Sequence, residues 1–281
     1  MKSGGLRRRS PDVLLGVALL FALPLNAGTL RFFGSAGFET PGHADAVAFF
    51  EAAPESKRWK TRLKLGTESD LGEAFVQVQL TPHIDVTAGR IIEKWGTGYG
   101  WTPTAFVGPA RNPTDPTDRH FADRGVDMIR VDAFVHDTGA SFYALRDGRF
   151  AARVYRLVRG TDVSLVARSD NKFGVNASRV FGERLELHGE LTNDAVLAGA
   201  QVTFANTNVV AELFHGDDDW AFVRVQHSFI EVIAARNLHD GKSFIRTTLS
   251  HRIESRIELY ALGTEYLHWK RELSAGVRVS F

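Results

Sequence analysis

Leu273-Ser274-Ala275-Gly276-Val277-Arg278-Val279-Ser280-Phe281 closes the chain, and its alternation decides the fold class. Leu273, Ala275, Val277, Val279 and Phe281 fall on one face, while Ser274, Gly276, Arg278 and Ser280 fall on the other. Side chains in a strand point alternately to opposite sides. This is therefore a two-faced strand, apolar on one side and small or polar on the other.

The same alternation recurs upstream. Trp59, Thr61, Leu63 and Leu65 oppose Lys60, Arg62 and Lys64, and Val76, Val78 and Leu80 oppose Gln77 and Gln79. Ile129, Val131, Ala133 and Val135 oppose Arg130 and Asp132. In Leu185–Leu191 three leucines stand against Glu186, His188 and Glu190. Further strands are expected at 29–38, 84–92, 141–145, 150–158, 163–167, 173–181, 196–204, 209–213, 221–225 with a continuation through Ile233, 245–249 and 255–262. Mixed parity leaves the register of 84–92 open. Turn signals separate these runs: Asp147-Gly148, Arg159-Gly160, Ser169-Asp170-Asn171, Asn193-Asp194, Asn206-Thr207-Asn208 and Asp240-Gly241. Ala44–Ala53, rich in alanine, is the best candidate for a helix.

At the other terminus, Lys2, Arg7, Arg8 and Arg9 precede an apolar stretch from Val13 to Leu25, with small residues at Ala27 and Gly28. The stretch is shorter than the roughly 20 residues that a spanning helix needs. It has the layout of a secretory signal peptide, residues 1–27, leaving 28–281 as a single domain. The chain has no Cys, which suits an exported protein that needs no disulfide and rules out lipid attachment through a cysteine. A net charge of +1 without long like-charge blocks gives no reason to invoke nucleic acid. No cofactor motif and no metal-binding frame is evident.

Periodicity alone does not say which face meets which solvent. A soluble sandwich turns its apolar face inward, whereas a membrane barrel turns it out to lipid. The apolar alternation of Val277 and Val279 ending on Phe281 resembles the closing strand of Gram-negative outer-membrane β-barrels, in which a terminal aromatic is read by the assembly machinery. That resemblance implies an all-β fold, a transmembrane antiparallel up-and-down β-barrel in the bacterial outer membrane. An even count of about 14–16 strands is expected. It also implies lipid and the barrel-assembly machinery as partners, and is compatible with a homo-oligomer.

The most unusual stretch runs from about 95 to 124, roughly 30 residues without periodicity, and such long segments inside a compact domain are usually functional. It opens with Trp95-Gly96-Thr97-Gly98-Tyr99-Gly100-Trp101-Thr102-Pro103 and continues through Asp115 and Asp118. With the preceding Gly89-Arg90, it resembles the region after an early strand in several porin-like outer-membrane families. Two readings stand: Trp95, Tyr99, Trp101, Asp115 and Asp118 constrict the lumen, or the loop packs on itself with its aromatics in the interfacial girdle. Gly96-Thr97-Gly98 is no phosphate loop, since the Lys-Ser/Thr and following helix are missing.

The polar faces place Lys60, Arg62, Lys64, Arg130, Asp132, Glu186, Glu190, Arg224, Arg246 and Arg278 along a lumen. Basic rings favour anions, though a wall of ion pairs fits the same residues. The reading that follows is a porin-like channel for passive diffusion of small hydrophilic solutes, anions among them. A non-conducting barrel for structure or surface-polysaccharide export is the alternative. A barrel enzyme acting on lipid or peptide is a third class, but the ten histidines fall in no catalytic frame, and Ser250 and His251 would point to opposite faces. No enzymatic role is expected.

Deleting Phe281 is expected to lower the yield of folded, heat-modifiable barrel in the outer membrane and to raise periplasmic degradation. Quantitative blotting of membrane fractions checks it, and an unchanged yield would remove the significance of the terminal aromatic.

Overall fold

Alternating strands joined by tight turns can satisfy their backbone only by pairing hairpin after hairpin, and the computed structural model carries this to closure. It describes the backbone of residues 29–40, 43–53, 59–66, 71–108, 111, 113, 125–254, 257–267 and 270–280, and the side chains of 73–108, 111, 113, 125–251 and 261. The signal peptide expected at 1–27, together with Asp115, Asp118 and Phe281, lies outside the described residues, as do the side chains of Lys60, Arg62, Lys64, Val277, Arg278 and Val279.

The strands are β1 (Thr29–Thr40), β2 (His43–Ala53), β3 (Trp59–Gly66), β4 (Leu71–Thr81), β5 (Ile84–Ile91) and β6 (Val126–Val135). There follow β7 (Thr138–Leu145), β8 (Phe150–Val158), β9 (Thr161–Arg168), β10 (Lys172–Phe181), β11 (Leu185–Thr192) and β12 (Val196–Phe204). The ring finishes with β13 (Thr207–His215), β14 (Asp219–His227), β15 (Ile230–Asn237), β16 (Ser243–Glu254), β17 (Ile257–Leu267) and β18 (Lys270–Ser280). Consecutive strands pair antiparallel, and β1 pairs with β18 as well as with β2. Ser35 sits opposite Ser280 and Thr40 opposite Ala275. The sheet is thereby an up-and-down barrel without an open backbone edge, the condition for a sheet to reside in hydrocarbon.

The count is 18 strands among the described residues, above the expected 14–16. Two segments account for the difference. Ala44–Ala53 is not a helix but lies within β2, with Phe50 opposite Phe32 on β1 and Leu63 on β3. Alanine's helix propensity is a weak preference, and two flanking strand edges that need partners override it. The run from Ala221 to Ile233 is a hairpin, β14 and β15, broken at Ser228, which turns through a φ of 51°. β5 also acquires its register: Thr87 and Ile91 are buried on the inner face, with Thr87 opposite Arg130 on β6.

Both ends of the described chain fall at one rim, because the strand number is even. The connections β6–β7, β8–β9, β12–β13 and β14–β15 lie at that rim and are tight. Their residues His136, Arg159, Ala205 and Ser228 have positive φ, as does Gly160 beside Arg159, the backbone twist that two-residue hairpin turns require. The long connection between β5 and β6 is rooted at the opposite rim.

Burial separates the two faces. Ile129, Phe142, Leu165, Leu187, Val223 and Ile245 are exposed outward, while Tyr143, Ser164, Val166, His188, Phe222 and Phe244 at alternate positions on the same strands are buried inside. Apolar groups thus face out along ring positions from β6 to β16.

An arginine at Leu165, 59% exposed in the middle of β9, is expected to cost about 2–4 kcal/mol in a lipid bilayer. An arginine at lumen-facing Ser178 should cost far less. Urea unfolding in vesicles measures both. Equal losses would mean that water bathes the outer face.

Candidate functional site

Residues 92–108, which follow β5, do not leave the barrel; they fold into it. Ile92 starts the inward turn, its N–H donating to Glu73 Oε1 at 3.2 Å. Glu93 then binds Arg130 on β6 at 2.7 Å. Trp95, 2% exposed, packs edge-on against Tyr143 of β7 with ring centroids 5.0 Å apart, and its indole N–H points to the Tyr143 hydroxyl at 3.4 Å. Phe106 and Val107 join Trp95, Ile91, Met128 and Leu145 in one apolar cluster that reaches Ala151 on β8 and Val166 on β9. Arg168 of β9 donates to the Phe106 carbonyl.

The centre of the loop is held by two carboxylates of the barrel wall. Glu190 of β11 accepts the N–H groups of Thr97 (2.6 Å), Gly98 (2.8 Å) and Thr104 (2.9 Å), and the Thr104 hydroxyl at 2.6 Å. Asn176 of β10 in turn donates to that hydroxyl at 3.0 Å. Glu212 of β13 accepts the N–H groups of Tyr99 (2.5 Å) and Gly100 (2.7 Å), with His188 Nε2 2.9 Å from its Oε1. Buried carboxylates and buried amides are each costly without partners, and here they partner one another. Glycine is needed for this approach. Gly96 has a φ of 93°, and a Cβ there would come within 2.7 Å of Glu190 Oε1. On the wall, a Cβ at Gly199 would come within 2.3 Å of His188 Nε2.

Beyond the carboxylates Trp101 stacks on Phe214 of β13, rings 5.1 Å apart at 10°, and meets Phe222 of β14 edge-on. These residues, with Leu197, Val210, Ala235 and Phe244, make a second apolar cluster. Arg111 binds back on the loop, donating to the Gly98 and Tyr99 carbonyls at 3.2 Å each. The loop therefore follows the inner wall from β6 round to β14.

Trp95, Tyr99 and Trp101 lie on the inner side of the ring, against Tyr143, His188 and Phe214. Glu190 is buried beneath the loop, its carboxylate taken up by the amides of Thr97, Gly98 and Thr104, so it is not exposed along a pore. Arg130 and Asp132 face the lumen as an ion pair at 2.7 Å, with Glu93 on the other side of the guanidinium. Arg224 faces it paired to Glu231 at 2.6 Å. Glu186 and Arg246 are half-buried on inward positions of β11 and β16. Backbone register places Lys64 opposite Glu73 and Arg278 opposite Glu258. Burial, then the Glu186 carboxylate, raise the Tyr99 hydroxyl above its usual pKa, so the ring stays neutral. Thr104, Asn176 and Arg111 carried no sequence signal. Ser250 and His251 are neighbours on β16, hence on opposite faces.

Replacing Glu190 by Ala is expected to weaken docking by about 1–3 kcal/mol for each amide that stays out of water without an acceptor. Gly199→Val should loosen the loop as well, by displacing His188 and Glu212. Hydrogen exchange at Thr97, Gly98 and Thr104, read beside limited proteolysis, reports both, and unchanged protection would contradict the anchoring role.

No protein-family model matches the chain, and no curated protein matches it in sequence. Solved structures do share its shape. A protein described under "Asymmetric conductivity of engineered proteins" aligns with a TM-score of 0.54 at 12% identity, covering 90% of this chain and 99% of that one. Two variants of the Rhodopseudomonas blastica porin align at 0.51, with 12% and 13% identity and the same coverage of 90% and 99%. At that identity the likeness is one of fold: the chain is an all-β antiparallel up-and-down barrel of porin-like architecture.

Proposed function

We propose that the chain is a bacterial outer-membrane barrel that passes small hydrophilic solutes, anions among them, by passive diffusion through a lumen narrowed by its own loop. The observation that carries this reading is the loop of residues 92–108, tied inside the ring by Glu190 and Glu212 rather than left outside it. Toward the rim of the termini the wall remains polar, with Asp132, Arg153, Glu186, Arg224 and Glu231 at inward positions. An apolar exterior with a polar interior is the distribution expected of a water-filled barrel in lipid. With both termini in the periplasm, the loop roots on the cell's exterior side. No enzymatic role is part of this reading.

Selectivity on this reading is weak, because Arg130 and Arg224 are each neutralised by a carboxylate within 3 Å. A second reading is favoured by the two apolar clusters on the loop. They let the loop serve as a plug, which makes the barrel a non-conducting structural or export component.

Single-channel recording in planar bilayers separates the two. The parent is expected to conduct, and Glu190→Ala should raise and destabilise its conductance. Arg224→Glu with Arg246→Glu should move the reversal potential in a salt gradient toward cations, since screening over about 8 Å leaves wall charges effective in a narrow pore. A silent parent that conducts only after loop release would favour the plug.

A further inference from the structure

Arginine is distributed unevenly between the two rims of strands β5 to β12. At the rim where the long loop is rooted, the basic groups are paired. Arg90 and Arg146 both bind Asp127, at 2.7 and 3.0 Å, Arg149 binds Asp147, and Arg168 binds Asp170 at 2.7 Å. At the rim that bears the termini, Arg156, Arg159, Arg179 and Arg184 are all exposed. None of these four has an ion-pair partner among the described residues.

Two of them point outward. Arg156 lies opposite Val163 on one side of β9, and Arg179 lies opposite Thr161 on the other side. Both have the parity of outward-facing Leu165 and Phe173, so they straddle β9 on the outer surface, two strand spacings across and two residues along, about 12 Å apart at the backbone. Arg179 rests over the Phe181 ring at 4.9 Å, which steers the guanidinium without neutralising it. Outward neighbours Thr138, Val154, Ala177, Leu185 and Leu187 bring no carboxylate to this face. Asp162 turns inward, where the Tyr155 hydroxyl donates to it at 2.7 Å. Arg159 and Arg184 stand exposed in the adjoining turns β8–β9 and β10–β11, the latter beside exposed Glu183.

Arginine on a barrel's lipid face is costly at the midplane and nearly neutral at the interface. Arg156 and Arg179 each sit two residues from a strand end, at the edge of the apolar band. Forked guanidinium groups suit phosphate oxygens, and two such long side chains flanking β9 can reach one phosphodiester from its two sides. We propose that Arg156 and Arg179, extended by Arg159 and Arg184, form a site on the outer face for the phosphodiester headgroup of an anionic glycerophospholipid in the leaflet at the rim of the termini. The site rests on the outer-membrane reading given above. It fixes the depth and rotation of the barrel in that leaflet, on the side away from the root of the loop.

The test uses the full chain refolded into nanodiscs of phosphatidylcholine with phosphatidylglycerol, then released into detergent for native mass spectrometry. The parent should retain phosphatidylglycerol over phosphatidylcholine, and excess inorganic phosphate should not displace it. Arg156→Gln with Arg179→Gln should lower that retention about thirtyfold, as removal of two near-surface cations predicts. Arg156→Lys with Arg179→Lys, which keeps charge but not the fork, should fall between and serves as the readout if the glutamine pair does not refold. Undiminished retention in the glutamine pair, or in the lysine pair when only that one refolds, overturns the site. So does a parent that holds both lipids equally or loses its lipid to free phosphate. A parent that fails to insert into any bilayer overturns the outer-membrane reading itself, whereas one that inserts and conducts without lipid preference overturns this site alone.

Discussion

Two buried carboxylates meeting five backbone amides is the contact on which the interior of this barrel depends. Glu190 and Glu212 are almost wholly removed from water, an arrangement that is unfavourable for a charge unless hydrogen bonds replace its hydration. The segment from Thr97 to Thr104 has the complementary difficulty, since its amides lie inside the ring away from any strand partner. Neither element is stable there alone. Gly96 and Gly199, the stacking of Trp101 on Phe214 and the seating of Trp95 on Tyr143 all serve the close approach that this contact demands.

Most of the sheet was legible in the sequence, because alternation and turn residues are local signals. Leu185–Leu191 shows how far they reach: its leucines face out and its Glu186, His188 and Glu190 face in, as the period of two implies. Local signals failed where partners decide. Ala44–Ala53 prefers a helix by composition but stands between two edges that need a strand. The break at Ser228 was invisible, because serine can adopt a positive φ without advertising it.

The site was legible only in part. The glycine-aromatic run of 95–101 declared itself as unusual, and its lodging in the lumen was one of two readings open to it. The carboxylates that hold the amides of Thr97 to Thr104 lie 86 to 113 residues away, and no period or spacing points to them. Glu190 therefore read as one more lumen charge. Arg130 and Arg224 stand at inward positions, but their neutralisation by Glu93, Asp132 and Glu231 depends on cross-strand register and on the loop's path.

The seam between β1 and β18 has a consequence for the order of assembly. It joins Ser35 to Ser280, residues near opposite ends of the chain, whereas the anchors of the loop lie in mid-chain on β11 and β13. Contacts between nearer residues lose less chain entropy on forming, although the advantage grows only slowly with separation. Docking of the loop can thus precede the shutting of the ring. Until the seam zips, the nascent sheet exposes two unsatisfied borders to any other strand it meets. The wall strands in the middle of the chain then act as a template on which the interior is fitted out first, with the last strand serving as the door.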